Sequence, residues 1–272
     1  MRDLTTTNLD YLTARLHGRR SRMAEAGRLD VLCRLRVMPD LVRQVWPDSK
    51  ALAVAEFQRR LVAELVREVA GFLPQLDEPG ARLVEWLLVR LQAPAPTLPV
   101  SWAAFATSLP AGPLRASVQA ASGNPARPFF MEAALDRGYY RELLVRAEKL
   151  PETDKALLAP LVRHEAETFQ RSLFARGRLN YGLAPEVLTQ FAVTRTVQPG
   201  ELPEEAAAWN RLYRLANRAM RGSPTGLGMV VGYVALRRIE IANLTMLSEG
   251  LRLGLSDESI RARMIPRSAT HV

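Results

Sequence analysis

The sequence is poor in the residues on which most site chemistry depends. Among 272 residues there is one cysteine, Cys33, and there are three histidines, His17, His164 and His271. A single cysteine cannot close an intrachain bridge, which excludes a disulfide-stapled fold and suits a reducing, cytoplasmic setting. The histidines lie far from one another and from Cys33, with none of the short spacings that pair metal ligands. A zinc site or a Cys–His nucleophile would therefore need a long-range coincidence. Solvated histidines and a buried, apolar Cys33 are expected instead. Gly-Lys-Ser/Thr does not occur, and Gly226-x-Gly228-x-x-x-Gly232 has neither the spacing nor the preceding strand of a dinucleotide fingerprint. Its small residues are better read as letting one helix approach another closely. No nucleotide and no other cofactor is expected. The most apolar stretches, Leu83–Leu91 and Gly226–Leu236, are about half the length that crosses a bilayer, and each contains or abuts arginine. No apolar leader follows the first basic residues, so export is not expected.

Lysine is also scarce, at Lys50, Lys149 and Lys155 alone, so nearly all of the 37 basic residues are arginine. Set against 28 acidic residues they leave a net charge of +9. Such a surplus suits nucleic acid, anionic lipid or an acidic protein and does not choose among them. With abundant Ala, Leu and Val, the preference for arginine reads mainly as compositional bias. The 48% hydrophobic and 24% charged content excludes a wholly disordered chain. The length allows one large domain or two small ones with ample core.

What is abundant is helical periodicity. Phe57, Leu61, Leu65, Val69 and Phe72–Leu73 recur every three or four positions, and Arg59, Arg60, Glu64, Arg67 and Glu68 fill the opposite face. The same pattern predicts helices over Leu9–Met23, Leu29–Val45, Arg82–Leu91, Phe130–Leu150, Lys155–Leu179, Glu205–Met220 and Leu227–Leu251. No stretch alternates as a strand does, so the fold class is all-α. Pro151-Glu152-Thr153-Asp154 stops one helix and offers Asp154 as the cap of the next, and Ser223-Pro224 offers another capped start. Gly254 followed by Ser256-Asp257-Glu258 predicts a glycine stop and a new capped helix, Asp257–Met264. Between Ala93 and Pro128, seven prolines leave a connector with short helices around Trp102–Leu109 and Leu114–Ala121.

A faint internal repeat runs through the second half. Glu167-x-x-Gln170, Arg176 and Gly182-Leu183-Ala184-Pro185-Glu186-Val187-Leu188 match, in order, Glu240-x-x-Asn243, Glu249 and Gly254-Leu255-Ser256-Asp257-Glu258-Ser259-Ile260, with one residue inserted. Each copy reads as a long helix, a Gly-Leu break and a short capped helix. A weaker third copy lies at Arg82–Leu91, where the polar positions are largely lost. Short helical units of this kind stack because one unit cannot bury its own apolar face, so a curved or funnel-like array is expected.

The charged residues admit structural readings first. Glu240 with Arg237 and Glu167 with Arg171 stand at helical pairing distance, and nothing supplies an oriented acid/base partner. Arg15, Arg19 and Arg22 would share one helix face able to meet phosphates or an acidic protein surface. A polar recognition helix and interleaved aromatics, which base reading would need, are missing nearby.

Three stretches resemble the C-subunit family of V/A-type rotary ATPases, whose eukaryotic counterpart is named d. Asp10-Tyr11-Leu12-Thr13-Ala14-Arg15-Leu16-His17-Gly18-Arg19-Arg20-Ser21-Arg22-Met23 is similar to the family's opening helix. Ala134-Leu135-Asp136-Arg137-Gly138-Tyr139-Tyr140 resembles its Leu-Asp-Arg-x-Tyr-Tyr segment, and Glu167-x-x-Gln170 follows where the family has an acidic residue three before an asparagine. Gly232–Leu244, with Glu240 and Asn243, and then Gly254–Arg261 form the closest match. Departures are Gln170 in place of the usual asparagine, a shorter chain, and a first repeat around Trp86 without most of its polar signature.

The resemblance implies a non-catalytic coupling component, built as a funnel of three related helix groups spanning 1–92, 93–200 and 201–272. Proteins of this family cap the cytoplasmic face of the membrane rotor ring, receive the tip of the central shaft and pass torque between ATP-driven rotation and ion transport. The implied partners are the shaft and the ring. On this reading Arg15, Arg19 and Arg22 form a protein interface, while Asp136, Tyr139, Tyr140, Glu167, Gln170, Glu240 and Asn243 are structural. The competing class is an arginine-rich helical nucleic-acid-binding protein; a helical hydrolase or isomerase is disfavoured by the absence of any convergent site.

Overall fold

The computed structural model describes residues 4–92, 101–198, 200, 204–222 and 226–266, with residues 4–9 described by their backbone alone. These residues form thirteen α-helices and no strand, as the all-α reading expects. In chain order they are α1 (Leu4–Arg20), α2 (Ala26–Cys33), α3 (Met38–Val45), α4 (Val54–Ala70), α5 (Glu78–Gln92), α6 (Trp102–Ser108) and α7 (Pro113–Ala120). There follow α8 (Pro128–Glu148), α9 (Glu152–Tyr181), α10 (Pro185–Thr189), α11 (Glu205–Gly222), α12 (Leu227–Arg252) and α13 (Asp257–Arg261).

Three expectations need correction. The single helix expected over Leu29–Val45 is two, because Pro39 has no N–H to continue a helix and occupies the first turn of α3 instead. The helix expected over Leu9–Met23 ends at Arg20, so Arg22 lies in the turn beyond it. Asp154 does not cap α9: Pro151 holds the cap position in an extended conformation and its carbonyl accepts the Lys155 N–H at 2.9 Å. Asp154 sits instead in the first turn, where a carboxylate favours the helix dipole. By contrast, the Ser256 hydroxyl caps α13 by accepting the Ser259 N–H at 3.2 Å, as its sequence signature predicts. The start expected at Ser223-Pro224 lies outside the described residues.

The chain divides into two compact units, 1–76 with 209–272, and 77–208. In the first, α12 is the central element. It is buried around most of its circumference from Leu227 to Leu236, and beyond that presents Leu244 and Leu247 to Phe57 and Leu61 of α4, Leu41 and Val42 of α3, and Leu29, Leu32 and Cys33 of α2. Cys33 is fully buried among apolar neighbours, as expected. Gly232 lets α11 come close: a Cβ there would stand 2.6 Å from the Ala216 carbonyl oxygen and 2.7 Å from the Met220 nitrogen. This bears out the reading of the Gly226–Gly232 segment as a helix contact and not a phosphate loop.

In the second unit α8 is central and packs against α5, α7 and α9. Gly138 is the point of closest approach, since a Cβ there would lie 2.7 Å from that of Ser117 on α7. The Ser117 hydroxyl donates to the Ala134 carbonyl at 2.7 Å and ties the two helices together.

Candidate functional site

A cavity lies in the first unit, where α1, α4 and α12 converge. It has a volume of ≈ 840 Å³, and Arg15, Arg19 and Arg22 all line it, together with Arg67 of α4 and Arg237 of α12. Two carboxylates, Glu64 and Glu68, share the lining. The three arginines picked from the sequence are thus brought together, although they line a cleft instead of an open helix face. Arg22 reaches it from the turn after α1. The Arg15 and Arg19 guanidinium groups lie 5.5 and 6.0 Å from the centre of the Phe72 ring, close enough for cation–π attraction.

Glu68 is the electrostatic hub of the cleft. Its side chain is only 8% exposed and forms ion pairs with Arg19 and with Arg237. It also accepts the Tyr233 hydroxyl at 2.7 Å. Burial, and then the Glu68 charge, push the Tyr233 phenol above the ordinary tyrosine value. Burial disfavours the charge on Arg237, yet Glu240, Tyr233 and Glu68 outweigh it and raise its pKa. Arg237 also pairs with Glu240, whose other oxygen accepts the buried Ala24 N–H at 2.6 Å. Glu240 therefore joins α12 to the segment after α1 across more than two hundred residues of sequence, and the pairing with Arg237 expected from spacing is present.

Asn243, one turn further along α12, makes a two-point clasp on a single backbone residue. Its oxygen accepts the Ile265 N–H at 2.8 Å and its amide donates to the Ile265 carbonyl at 2.7 Å. Gln170 does the same work in the second unit: its oxygen accepts the Val193 and Thr194 N–H groups at 2.9 and 2.8 Å, and its amide donates to the Thr194 and Val197 carbonyls, both at 3.1 Å. The longer glutamine clasps a wider stretch of backbone than Asn243 does. Glu167 accepts the Thr196 hydroxyl at 2.9 Å and pairs with Arg171 at 3.8 Å.

The likeness extends to the Gly-Leu breaks. Gly182 and Gly254 both adopt the left-handed conformation, at φ of 61° and 65°. The Leu183 N–H reaches back to the Gly177 carbonyl and the Leu255 N–H to the Gly250 carbonyl, at 3.0 and 2.9 Å, closing the two helix ends alike. The inserted residue falls between Gly177 and Gly182. Gly177 and Gly250 in turn seat Leu188 and Ile260, the buried residues of α10 and α13.

The Asp136, Tyr139 and Tyr140 segment is built into packing. Asp136 pairs with Arg90 of α5, and burial pushes its carboxyl upward against the pull of that arginine. The Tyr139 ring stacks on Trp86 at 6.2 Å, and the Trp86 indole N–H donates to the Tyr139 carbonyl at 3.0 Å. Tyr140 stacks on Phe169 at 4.8 Å. Trp86 thus has a structural role in the second unit.

His164 corrects the expectation of solvated histidines. It is buried, and its Nε2 lies 2.8 Å from the Ala208 carbonyl. His17 is exposed, and His271 lies outside the described residues. Among the described residues no group of three His, Cys, Asp or Glu is placed to hold a metal ion. Sequence reading missed Arg67, Tyr233 and Arg237 as partners of the α1 arginines. On α4, Arg67 looks like any solvated charge, and only the fold turns it toward residues some fifty positions earlier.

The class defined by these features is an all-α protein with a duplicated helix–glycine–helix unit, each copy clasping its own exit stretch of backbone through a buried amide. Residues 192–263 match the family described as ATP synthase (C/AC39) subunit. The match supports the C-subunit family of V/A-type ATPases for this chain, and it falls on the copy containing Glu240, Asn243 and the Gly254 break. A comparison with curated proteins gives no match. Among the described residues no helix is long and apolar enough to cross a membrane.

Proposed function

We propose that the chain is a non-catalytic central-stalk coupling component of a V/A-type ATPase, seated on the cytoplasmic face of the membrane rotor ring and receiving the rotor shaft. The match over residues 192–263 carries this reading. The polar residues of the duplicated unit support it, because each is engaged in holding helices and backbone together. In this role the three helix groups over 1–92, 93–200 and 201–272 act as an adaptor that transmits torque and binds no nucleotide. Arg15, Arg19 and Arg22 supply a docking surface for an acidic protein partner, and Arg67 extends it.

The test is reconstitution of the parent ATPase with and without this chain. ATP hydrolysis by the catalytic head should continue without it while ATP-driven ion transport is lost, and adding the chain back should restore transport. Stable assembly and full transport in its absence would overturn the reading. High-affinity, steeply salt-dependent oligonucleotide binding combined with no attachment to the ATPase would favour the nucleic-acid-binding class instead.

A further inference from the structure

The cleft also contains a glycine that the fold itself does not require. Gly18 lies in the last turn of α1, lines the cavity and is exposed. It has no left-handed φ, and a Cβ added to it would meet nothing within 4 Å. Gly138, Gly177, Gly232 and Gly250 each sit against a neighbour that a side chain would strike. Gly18 has no such neighbour, and glycine is the weakest ordinary helix former. Ala14, one turn earlier, is likewise exposed and lines the same cavity. Together they make a bare strip along α1 where another backbone can come within close packing distance.

The charges flanking this strip are unevenly satisfied. Arg19 and Arg237 share Glu68. Glu64 is taken by the Trp46 indole N–H at 2.9 Å and by Arg60 at 3.1 Å. Among the described residues Arg15, Arg22 and Arg67 have no carboxylate partner. A compact phosphate-rich ligand could meet the free guanidinium groups but would leave the exposed strip of Ala14 and Gly18 without a packing partner. A helix suits both features, since carboxylates three or four residues apart can meet the free guanidinium groups while small or apolar residues between them lie on the strip.

We infer that this cleft is the seat of an acidic α-helix of a protein partner, packed backbone-close along Ala14 and Gly18 and paired with Arg15, Arg22 and Arg67. The inference rests on the protein-docking reading above and fixes the partner's chemistry.

The test uses the full chain and a fluorescent, Ala/Leu-rich helical peptide of about 20 residues with glutamates spaced three and four apart. Binding that weakens with salt is expected. Gly18→Leu should weaken it at least about tenfold, equivalent to about 1.4 kcal/mol, with a melting temperature at or above that of the unaltered chain. Arg15→Gln, Arg22→Gln and Arg67→Gln should each weaken it about two- to fivefold. The inference is overturned by absence of peptide binding, by equal affinity for the glutamine version of the peptide, by an unaffected Gly18→Leu variant, or by tighter binding of tripolyphosphate than of the peptide. A second arm measures attachment to the ATPase. If the unaltered chain binds the peptide but never joins the ATPase, the coupling function fails and the helix seat stands. If Gly18→Leu joins with undiminished strength, the seat fails and the coupling function stands.

Discussion

At the scale of single residues, Glu68 and Glu240 show how a buried carboxylate is made tolerable. Each is nearly enclosed, and each is offset by a guanidinium group and a further hydrogen-bond donor. Removing one member should therefore cost more than an exposed ion pair would. Glu240→Ala leaves the Ala24 N–H without its acceptor and Arg237 with only Glu68, and should destabilise the chain by about 1–3 kcal/mol. Thermal melting checks this, and an unchanged melting temperature would count against a structural role. Tyr233→Phe should cost about 1 kcal/mol near neutrality by removing the hydrogen bond to Glu68. Its pH dependence has a definite sign. A phenol whose folded-state pKa is raised contributes stability that is fully present below the unfolded value of about 10 and is lost as pH rises through the folded value. The unaltered protein should thus lose its advantage over Tyr233→Phe above about pH 10. A gap between the two that stays constant from neutral to strongly alkaline pH would refute the assignment.

At the scale of elements, the duplicated unit makes a prediction that neither copy makes alone. Gly250→Ala would bring a Cβ to 2.7 Å from Ile260 Cγ1, and Gly177→Ala would strike the Leu188 side chain. Each should cost about 1–3 kcal/mol through overpacking. Truncating the facing residue, with Ile260→Ala or Leu188→Ala, should relieve the strain, so double-mutant cycles should give coupling of at least about 1 kcal/mol in both copies. Coupling in one copy only would mean that the resemblance between them is superficial. These units were legible beforehand because helix breaks, caps and periodicity are local: Gly182, Gly254 and Ser256 act on their immediate neighbours. What the clasps hold was not legible, since Gln170 reaches residues 193–197 and Asn243 reaches residue 265 only once the helix pairs have folded. The break between α2 and α3 was missed for a different reason. The apolar period runs unbroken through Leu29–Val45, and a single proline outweighs it. The cleft was legible in part. The spacing of Arg15 and Arg19 is a property of α1, whereas Arg67, Tyr233 and Arg237 join them through tertiary packing.

At the scale of the whole molecule, the question is whether the net charge of +9 acts as a diffuse field or through one place. The first unit offers an internal control. Besides the cleft, α11 carries Arg211, Arg214 and Arg218 at helical spacing, all exposed and, among the described residues, without a carboxylate partner. Replacing Arg15, Arg22 and Arg67 by glutamine, or Arg211, Arg214 and Arg218 by glutamine, removes three charges in each case and takes +9 to +6. Arg19 is left untouched in both variants because its ion pair with the largely buried Glu68 belongs to the fold. A diffuse field would make the two variants equivalent, slowing association with an acidic partner to a similar degree. Docking in the cleft predicts that only the first variant falls off the ATPase faster, since broken local pairs act on dissociation while remote charges act on encounter. Kinetic measurement of attachment at two salt concentrations decides between them. Equal dissociation rates for the two variants would remove the cleft from the interface. A salt slope for nucleic-acid binding that drops by about three units in both would point to phosphate neutralisation spread over the whole basic surface.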